Sequence, residues 1–365
     1  MPTFRADIRE IAPYSPGRAV ADVARENGFD PADISKLASN ESPVPPLEAV
    51  QAKMREVSGD VFRYPDNDAV ELRGAIGAHI EVDSSHVWVG GGSSELLRVI
   101  AMAVGGPGTS AVYAWPSFVI YRMASILAMS DRVEVPLVGH RHDLDAMANA
   151  IREDTRVVYV CNPNNPTGTH LPADSIARFV ESVPDRVLVV IDEAYHEYVT
   201  APDHATAVPL ALERPNVVVT RTFSKIHGLA ALRVGYGVAR PETVSELRKA
   251  QAPFTVGTIG QVAAVESLRH TDELAARRAV NASERSRVEA ELGGQGVRYV
   301  ASQGNFVFFD ASAAADPAAA YLQHGIIVRV FGSWVRVTIG TADENDRFLL
   351  ASREIFGRTD TLSDS

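Results

Sequence analysis

Val217 to Gly237 reads VVVTRTFSKIHGLAALRVGYG. The opening run, Val217-Val218-Val219-Thr220, is apolar and β-branched and is set off by Pro215-Asn216, which predicts a short buried strand. A hydroxyl-rich turn follows, Thr222-Phe223-Ser224, and then Lys225. Arg233 stands further along, and Val234 to Gly237 reads as a second short strand. A lysine at the end of a buried strand, flanked by hydroxyls and an arginine, suits an amine that condenses with a carbonyl beside a bound phosphate. A lysine standing alone is usually a solvated loop residue. Other segments argue against that reading here.

Working outward, Val187 to Tyr195 (VLVVIDEAY) is an apolar run that carries Asp192 to the C-terminal end of a strand. Val157 to Gly168 (VVYVCNPNNPTG) is another such strand, ending in an Asn/Pro/Gly cluster that breaks it. Val87 to Leu97 (VWVGGGSSELL) runs from a strand through three glycines into Ser93, Ser94 and an apolar helical pattern. Small residues let a backbone approach a ligand, and the N–H groups at a helix start favour an anion. In open α/β sheets ligands sit beyond the carboxyl ends of the strands. One crevice is thus offered glycine and hydroxyl donors, an asparagine, an aspartate and a lysine.

The motifs SNE, RYPD, CNPNNPTG, DEAY, TFSK and RVGYG stand in this order along the chain. In that series the sequence resembles the pyridoxal-phosphate (PLP) aminotransferases of fold type I, and within them the histidinol-phosphate aminotransferase family, from Lys36 to about Phe348. It is also similar to the actinobacterial aromatic aminotransferases, notably through PFTVGTIGQ. The resemblance implies an α/β fold: a large domain with a mixed, mostly parallel seven-stranded sheet, and a smaller α/β domain. The expected division is an N-terminal arm over 1–35, a PLP-binding domain over 36–245, a small domain over 246–357 and a tail over 358–365.

The same resemblance implies roles for individual residues. Lys225 is the catalytic amine, bonded covalently to PLP. Asp192 faces the pyridine nitrogen and keeps it protonated, which lets the ring accept electrons. Asn165 and Tyr195 share the phenolate oxygen. Phe118 stacks on the ring, at a position where the family often has tyrosine. Ser93, Ser94, Thr222, Ser224 and Arg233 hold the phosphate, and a guanidinium suits that anion because its fork can bind bidentately. Tyr64, held extended by Pro65, crosses a dimer interface to the phosphate of the partner subunit's cofactor. Arg336 and Arg329 take the anionic end of the substrate, and Asn40 and Tyr14 line its pocket. No metal is expected. Glu193, Cys161 and Trp115 read as structural residues.

Composition agrees. The chain has 365 residues, 46% hydrophobic and 22% charged, enough for two domains of an ordinary globular enzyme. A net charge of -11 argues against a nucleic-acid surface. The single cysteine, Cys161, gives neither an internal disulfide nor a zinc framework. There is no apolar leader and no run long enough to span a membrane, so a cytoplasmic enzyme is expected. Lys36 to Asn40 is expected to be a short strand, residues 1 to about 30 an arm rather than a packed unit, Asp310 to Ala320 a helix, and Arg358 to Ser365 a frayed tail.

The expected activity is transamination by a homodimer acting on a small-molecule amino donor and a 2-oxo acid. The leading pair is histidinol phosphate and 2-oxoglutarate, a step of histidine biosynthesis. The alternative donor is an aromatic amino acid, phenylalanine or tyrosine. More distant readings are a PLP lyase and a non-catalytic binding protein on the same fold; the presence of both Lys225 and Asp192 argues against the latter.

Overall fold

The computed structural model describes residues 2–13 and 17–357. Its centre is a seven-stranded sheet. We number its strands in chain order: β1 (Val87–Gly90), β2 (Ser110–Trp115), β3 (Asp131–Pro136), β4 (Thr155–Cys161), β5 (Leu188–Asp192), β6 (Val217–Thr222) and β7 (Gly235–Val238). The spatial order is β1-β7-β6-β5-β4-β2-β3. Only β7 runs antiparallel to its neighbours; every other pairing is parallel.

The near-continuous apolar runs of these strands follow from burial on both faces. Val158 and Val160 of β4 join one core with Val189 and Ile191 of β5 and Val217 and Val219 of β6. Val157, Tyr159 and Cys161 point the other way, into a second core with Leu188, Val190 and Val218. Helices Ser93–Val104 and Ile120–Leu127 cover that second face. Helices Glu48–Val57, Val70–His79 and Thr258–Leu268 cover the first, with Ala173–Ser182.

A third core lies around Leu37, Val288, Leu292, Phe309, Tyr321 and Phe348. It belongs to a smaller α/β unit whose four-stranded antiparallel sheet is ordered Arg329–Phe331, Trp334–Thr338, Phe306–Asp310, Tyr299–Val300. Helices Thr271–Gly294 and Ala342–Phe356 pack on it. Helix Thr258–Leu268 places Ala263, Ala264, Val265 and Leu268 in the first core instead. Past position 246 the chain thus first returns to the large core, and the first buried residue of the small core after it is Val288.

Three local expectations are corrected. Of the segment 36–40 only Lys36 is in a strand, Ser35–Lys36, which pairs in parallel with Ile326–Ile327; the chain then turns, and Asn40 takes φ +54°. The stretch 310–320 is not one helix: strand Phe306–Asp310 ends there and the helix is Pro317–Leu322. It starts where Asp316 accepts a hydrogen bond from the Ala319 N–H and Pro317 occupies the first turn. The arm is also more structured than expected. Helix Val20–Asn27 buries Val23 and Ala24 against Ile34, Ala38 and Ile327. The tail lies outside the described residues.

A buried ion pair joins β5 to β6 beside the crevice. Glu193 accepts hydrogen bonds from the Nε of Arg221 at 2.9 Å and from the Ala207 N–H at 2.6 Å. Burial alone would raise the pKa of Glu193; Arg221 and the backbone donor outweigh it and hold the carboxyl below its usual value. Glu193→Gln leaves the Arg221 guanidinium enclosed without its counter-charge. The expected loss is about 3 kcal/mol, read as a fall in the denaturant midpoint. A loss under about 1 kcal/mol would show that the pair is dispensable.

Candidate active site

A cavity of about 500 Å³ opens at the carboxyl ends of β4, β5 and β6. Its lining includes Asn40, Ser93, Ser94, Phe118, Asn165, Asp192, Tyr195, Thr222, Ser224, Lys225, Arg233 and Arg336. Most of the residues singled out in the sequence are thus brought to one place.

Asp192, the last residue of β5, is 1% exposed. Its Oδ2 accepts a hydrogen bond from the Tyr121 hydroxyl at 2.8 Å, and its Oδ1 one from the Thr220 hydroxyl at 3.2 Å. Burial pushes its pKa up to about 6 despite these donors. A carboxylate held by neutral hydroxyls in a buried site is suited to receive a cation such as a ring N–H⁺.

Lys225 follows the turn after β6. Its amine donates to the backbone oxygen of Asn40 at 2.9 Å and lies 5.4 Å from the centre of the Tyr195 ring. Removal from bulk water pulls its pKa down to about 7, and the guanidinium charges of Arg336 and Arg233 add to the shift. A sizeable share of the amine is therefore neutral near pH 7, as a base or nucleophile requires.

Asn40 links several parts of the site. Its side-chain amide donates to the Tyr195 hydroxyl at 3.0 Å, and its backbone N–H donates to the Thr338 hydroxyl at 2.9 Å. Its backbone oxygen also accepts from the Asn305 amide at 3.2 Å. Asparagine tolerates its left-handed backbone better than most residues do. Arg336 donates to the side-chain oxygen of Asn165 and to the backbone oxygen of Ala38, the latter at 2.6 Å.

The other end of the cavity is built for an anion. Helix Ser93–Val104 begins there with Ser93 and Ser94, after Gly92 at φ +83°. A Cβ on Gly92 would lie 2.5 Å from Nη2 of Arg233, so only glycine lets the guanidinium lie against the helix start. Gly235 is needed for a similar reason, since a Cβ there would lie 2.6 Å from the Ser93 nitrogen. Arg233 Nη1 donates to the Ala230 oxygen at 2.7 Å, and the Thr222 hydroxyl donates to that of Ser224 at 2.9 Å. Helix N–H groups, hydroxyls and an arginine converge on one point. The chemistry of this donor set matches PLP: a cradle for its phosphate, a carboxylate for its ring nitrogen, an amine for its aldehyde and an aromatic face.

The remaining expected residues fall elsewhere. Arg329 lines a second cavity of about 720 Å³, which shares Phe118, Asn165 and Arg336 with the first. Tyr64 does not line its own chain's cavity; it is 82% exposed and stacks on Phe254 at 4.6 Å. Tyr14 lies outside the described residues. Trp115 has the Arg122 guanidinium 4.4 Å from its ring centre. The peptide bonds before Pro116, Pro163 and Pro166 are cis. Among the described residues no cluster of His, Cys, Asp or Glu could hold a metal ion, and no helix is long and apolar enough to cross a membrane.

Residues 32–351 match the family described as aminotransferase class I and II. The chain belongs to this family. It is 45% identical over 354 residues to an aromatic amino acid aminotransferase of Thermobifida fusca, covering 96% of this chain and 97% of that one. It is 41% identical over 347 residues to histidinol-phosphate aminotransferase 2 of Ralstonia nicotianae, covering 93% of each. Among solved structures it is similar to the histidinol-phosphate aminotransferase of Sinorhizobium meliloti in complex with pyridoxal-5'-phosphate, with a TM-score of 0.89, 28% identity and 97% of both chains covered. The protein is a PLP-dependent aminotransferase of fold type I.

Sequence reasoning passed over several residues of this aminotransferase site. Arg98 and Glu41 line the first cavity, and Tyr121 and Thr220 hold Asp192. Tyr121 had a legible signal: it stands three residues after Phe118, one helical turn away. Thr220 did too, as the last residue of the β-branched run that pairs with β5.

Proposed function

We propose that the chain binds PLP in the first cavity and transfers the amino group of histidinol phosphate to 2-oxoglutarate. The observation that carries this reading is the grouping of guanidinium and aromatic side chains around the adjoining cavity. Arg329 and Arg336 are direct partners across antiparallel strands, and both line that cavity together with Arg18. Trp115, Phe118 and Phe331 form aromatic wall beside them. A donor with a planar imidazole ring and a phosphate matches both features. A dicarboxylate acceptor can use the same arginines in the second half of the cycle.

The residues then divide the work. PLP supplies a sink for the electrons released when the substrate loses its α-hydrogen. Asp192, ionised at neutral pH, holds a proton on the ring nitrogen. Lys225 Nζ, in its neutral form, takes the proton from the substrate Cα. Asn165 and Tyr195 orient the ring from one edge, and Arg233 with the Ser93–Val104 helix start anchors the other. Arg336, buried between Asn165 and Ala38, presents its charge to the substrate anion.

A second reading is favoured by the apolar part of the same wall. Leu322, Ile327 and Val328 join the aromatic residues there, and a phenylalanine or tyrosine side chain fits such a surface. The Thermobifida relative, named for that activity, supports it. Steady-state kcat/KM with L-histidinol phosphate and with L-phenylalanine, each against 2-oxoglutarate, decides. A higher value for phenylalanine would overturn the first reading in favour of the second.

In either case the Arg336→Gln variant removes a charge-assisted contact worth about 1.5–3 kcal/mol. KM for the anionic substrate is expected to rise by roughly 10- to 100-fold with the cofactor still bound. An unchanged KM would move the anion site elsewhere. We also propose a homodimer. Val61, Phe62, Tyr64, Val70 and Phe254 are exposed apolar residues, and an identical chain covering them is what the family resemblance implies. Sedimentation of a monomer at micromolar concentration would refute it.

A further inference from the structure

Tyr121 belongs to neither the phosphate cradle nor the substrate wall, yet it touches both the group that faces the ring and the group that faces the ring nitrogen. Its N–H donates to the Phe118 oxygen at 3.0 Å, so the two residues share one turn entering helix Ile120–Leu127. Its ring meets that of Phe118 edge-on, with centres 5.9 Å apart at 90°. Its other neighbour is Tyr159 of β4, stacked at 4.8 Å with the planes 11° apart. The side chain is fully buried and its hydroxyl ends on Asp192 Oδ2 at 2.8 Å. Thr220 holds the other carboxylate oxygen from β6, at a longer 3.2 Å.

We propose that Tyr121 is a positioning residue for the cofactor: its hydroxyl keeps Asp192 ionised and aimed at the ring nitrogen, while its ring fixes the angle of Phe118. This rests on the reading that PLP occupies the cavity. Burial and the neighbouring Asp192 carboxylate raise the Tyr121 phenol well above its ordinary pKa, so it stays a proton donor throughout the working range. A donor on a buried carboxylate favours the charged form. Without that hydrogen bond, burial acts on Asp192 with less opposition. The other ionisable groups around Asp192 are Cys161 on β4, Glu193 next to it in sequence, and Lys225 and Tyr195 across the cavity.

Tyr121→Phe deletes the hydroxyl and keeps both ring contacts. Isotope-edited infrared titration of the cofactor-free, full-length chain reads the Asp192 carboxyl directly, with Asp192→Asn assigning the band. The midpoint is expected to rise by about one unit in Tyr121→Phe and by less in Thr220→Val. Equilibrium dialysis with PLP is expected to show the dissociation constant raised roughly 10-fold. An unchanged midpoint together with unchanged PLP affinity would overturn the proposal and leave Tyr121 a packing residue. If Tyr121→Phe does not fold, wild-type protein labelled at tyrosine Cζ serves instead. The Tyr121 resonance should then move at the Asp192 midpoint, and a resonance that ignores it overturns the proposal. Failure of wild-type protein to bind PLP would refute the cofactor reading separately, because the infrared titration involves no cofactor.

Discussion

Lys225→Ala should reduce amino transfer by on the order of 10³- to 10⁴-fold, the upper range for loss of a positioned acid–base group, while the chain keeps its fold. The two halves of that expectation have different causes. The loss follows because the described cavity offers no other amine; the basic groups beside Lys225 are the guanidiniums of Arg233 and Arg336. The retention of fold follows because, among the described residues, the amine bonds only to the backbone oxygens of Asn40 and Ser39. Enclosing an ammonium is itself unfavourable. In the cofactor-free protein the folded pKa of about 7 lies below the ordinary lysine value of 10.5. Between these values the unfolded chain binds more protons, so wild-type stability rises with pH across that window. The alanine variant should lack this component. Rate measurements, with melting curves across the same pH range, test both halves. Normal turnover by the variant would remove Lys225 from the mechanism.

Asp192→Asn should be nearly as damaging to catalysis, about 10³-fold, because an amide cannot hold the ring nitrogen protonated. Its effect on stability should run the other way. In the cofactor-free chain the Asp192 pKa of about 6 exceeds its ordinary 3.8. The folded state therefore binds more protons between those values, and stability falls as pH rises through the window. Above pH 6 the wild type carries the full cost of a buried carboxylate, and the asparagine variant does not. The variant should thus melt at or above the wild-type temperature without PLP and show far weaker PLP-dependent stabilisation. A variant that loses stability without cofactor while keeping its activity would show that Asp192 serves the fold and not the chemistry.

These two residues were legible in the sequence for a physical reason. Asp192 ends a run of buried apolar residues and Lys225 follows the turn after another, so both are delivered to the same sheet edge, where a polar side chain is out of place unless it is used. The glycines before Ser93 were legible because a backbone that approaches an anion closely has no room for a Cβ. What was not legible came from parts of the chain distant in sequence. Asn40 was expected near the substrate, but its bonds to Tyr195 and Thr338 depend on packing between the two units. Helix Thr258–Leu268 shows an apolar pattern that fits either core, and only the fold assigns it to the first. Tyr64 is exposed on the chain, and the role expected of it needs a second subunit. Local periodicity likewise overlooked that Asp310 to Ala320 changes from strand to turn before Pro317, since alanine suits a helix without requiring one.

Asn40 gives the enzyme a mechanical gearing. Its backbone is anchored through Thr338 and Asn305 to the sheet that carries Arg336, while the same residue supplies the acceptor for the Lys225 amine and the donor to Tyr195. Under the proposed function, a shift of that sheet on taking up or releasing an anion would be passed, through this one residue, to the Lys225 amine. Under that reading the spacing between Arg336 and the Lys225 amine is set by the hydrogen bonds of Asn40, and a substrate's length would be read together with its two ends.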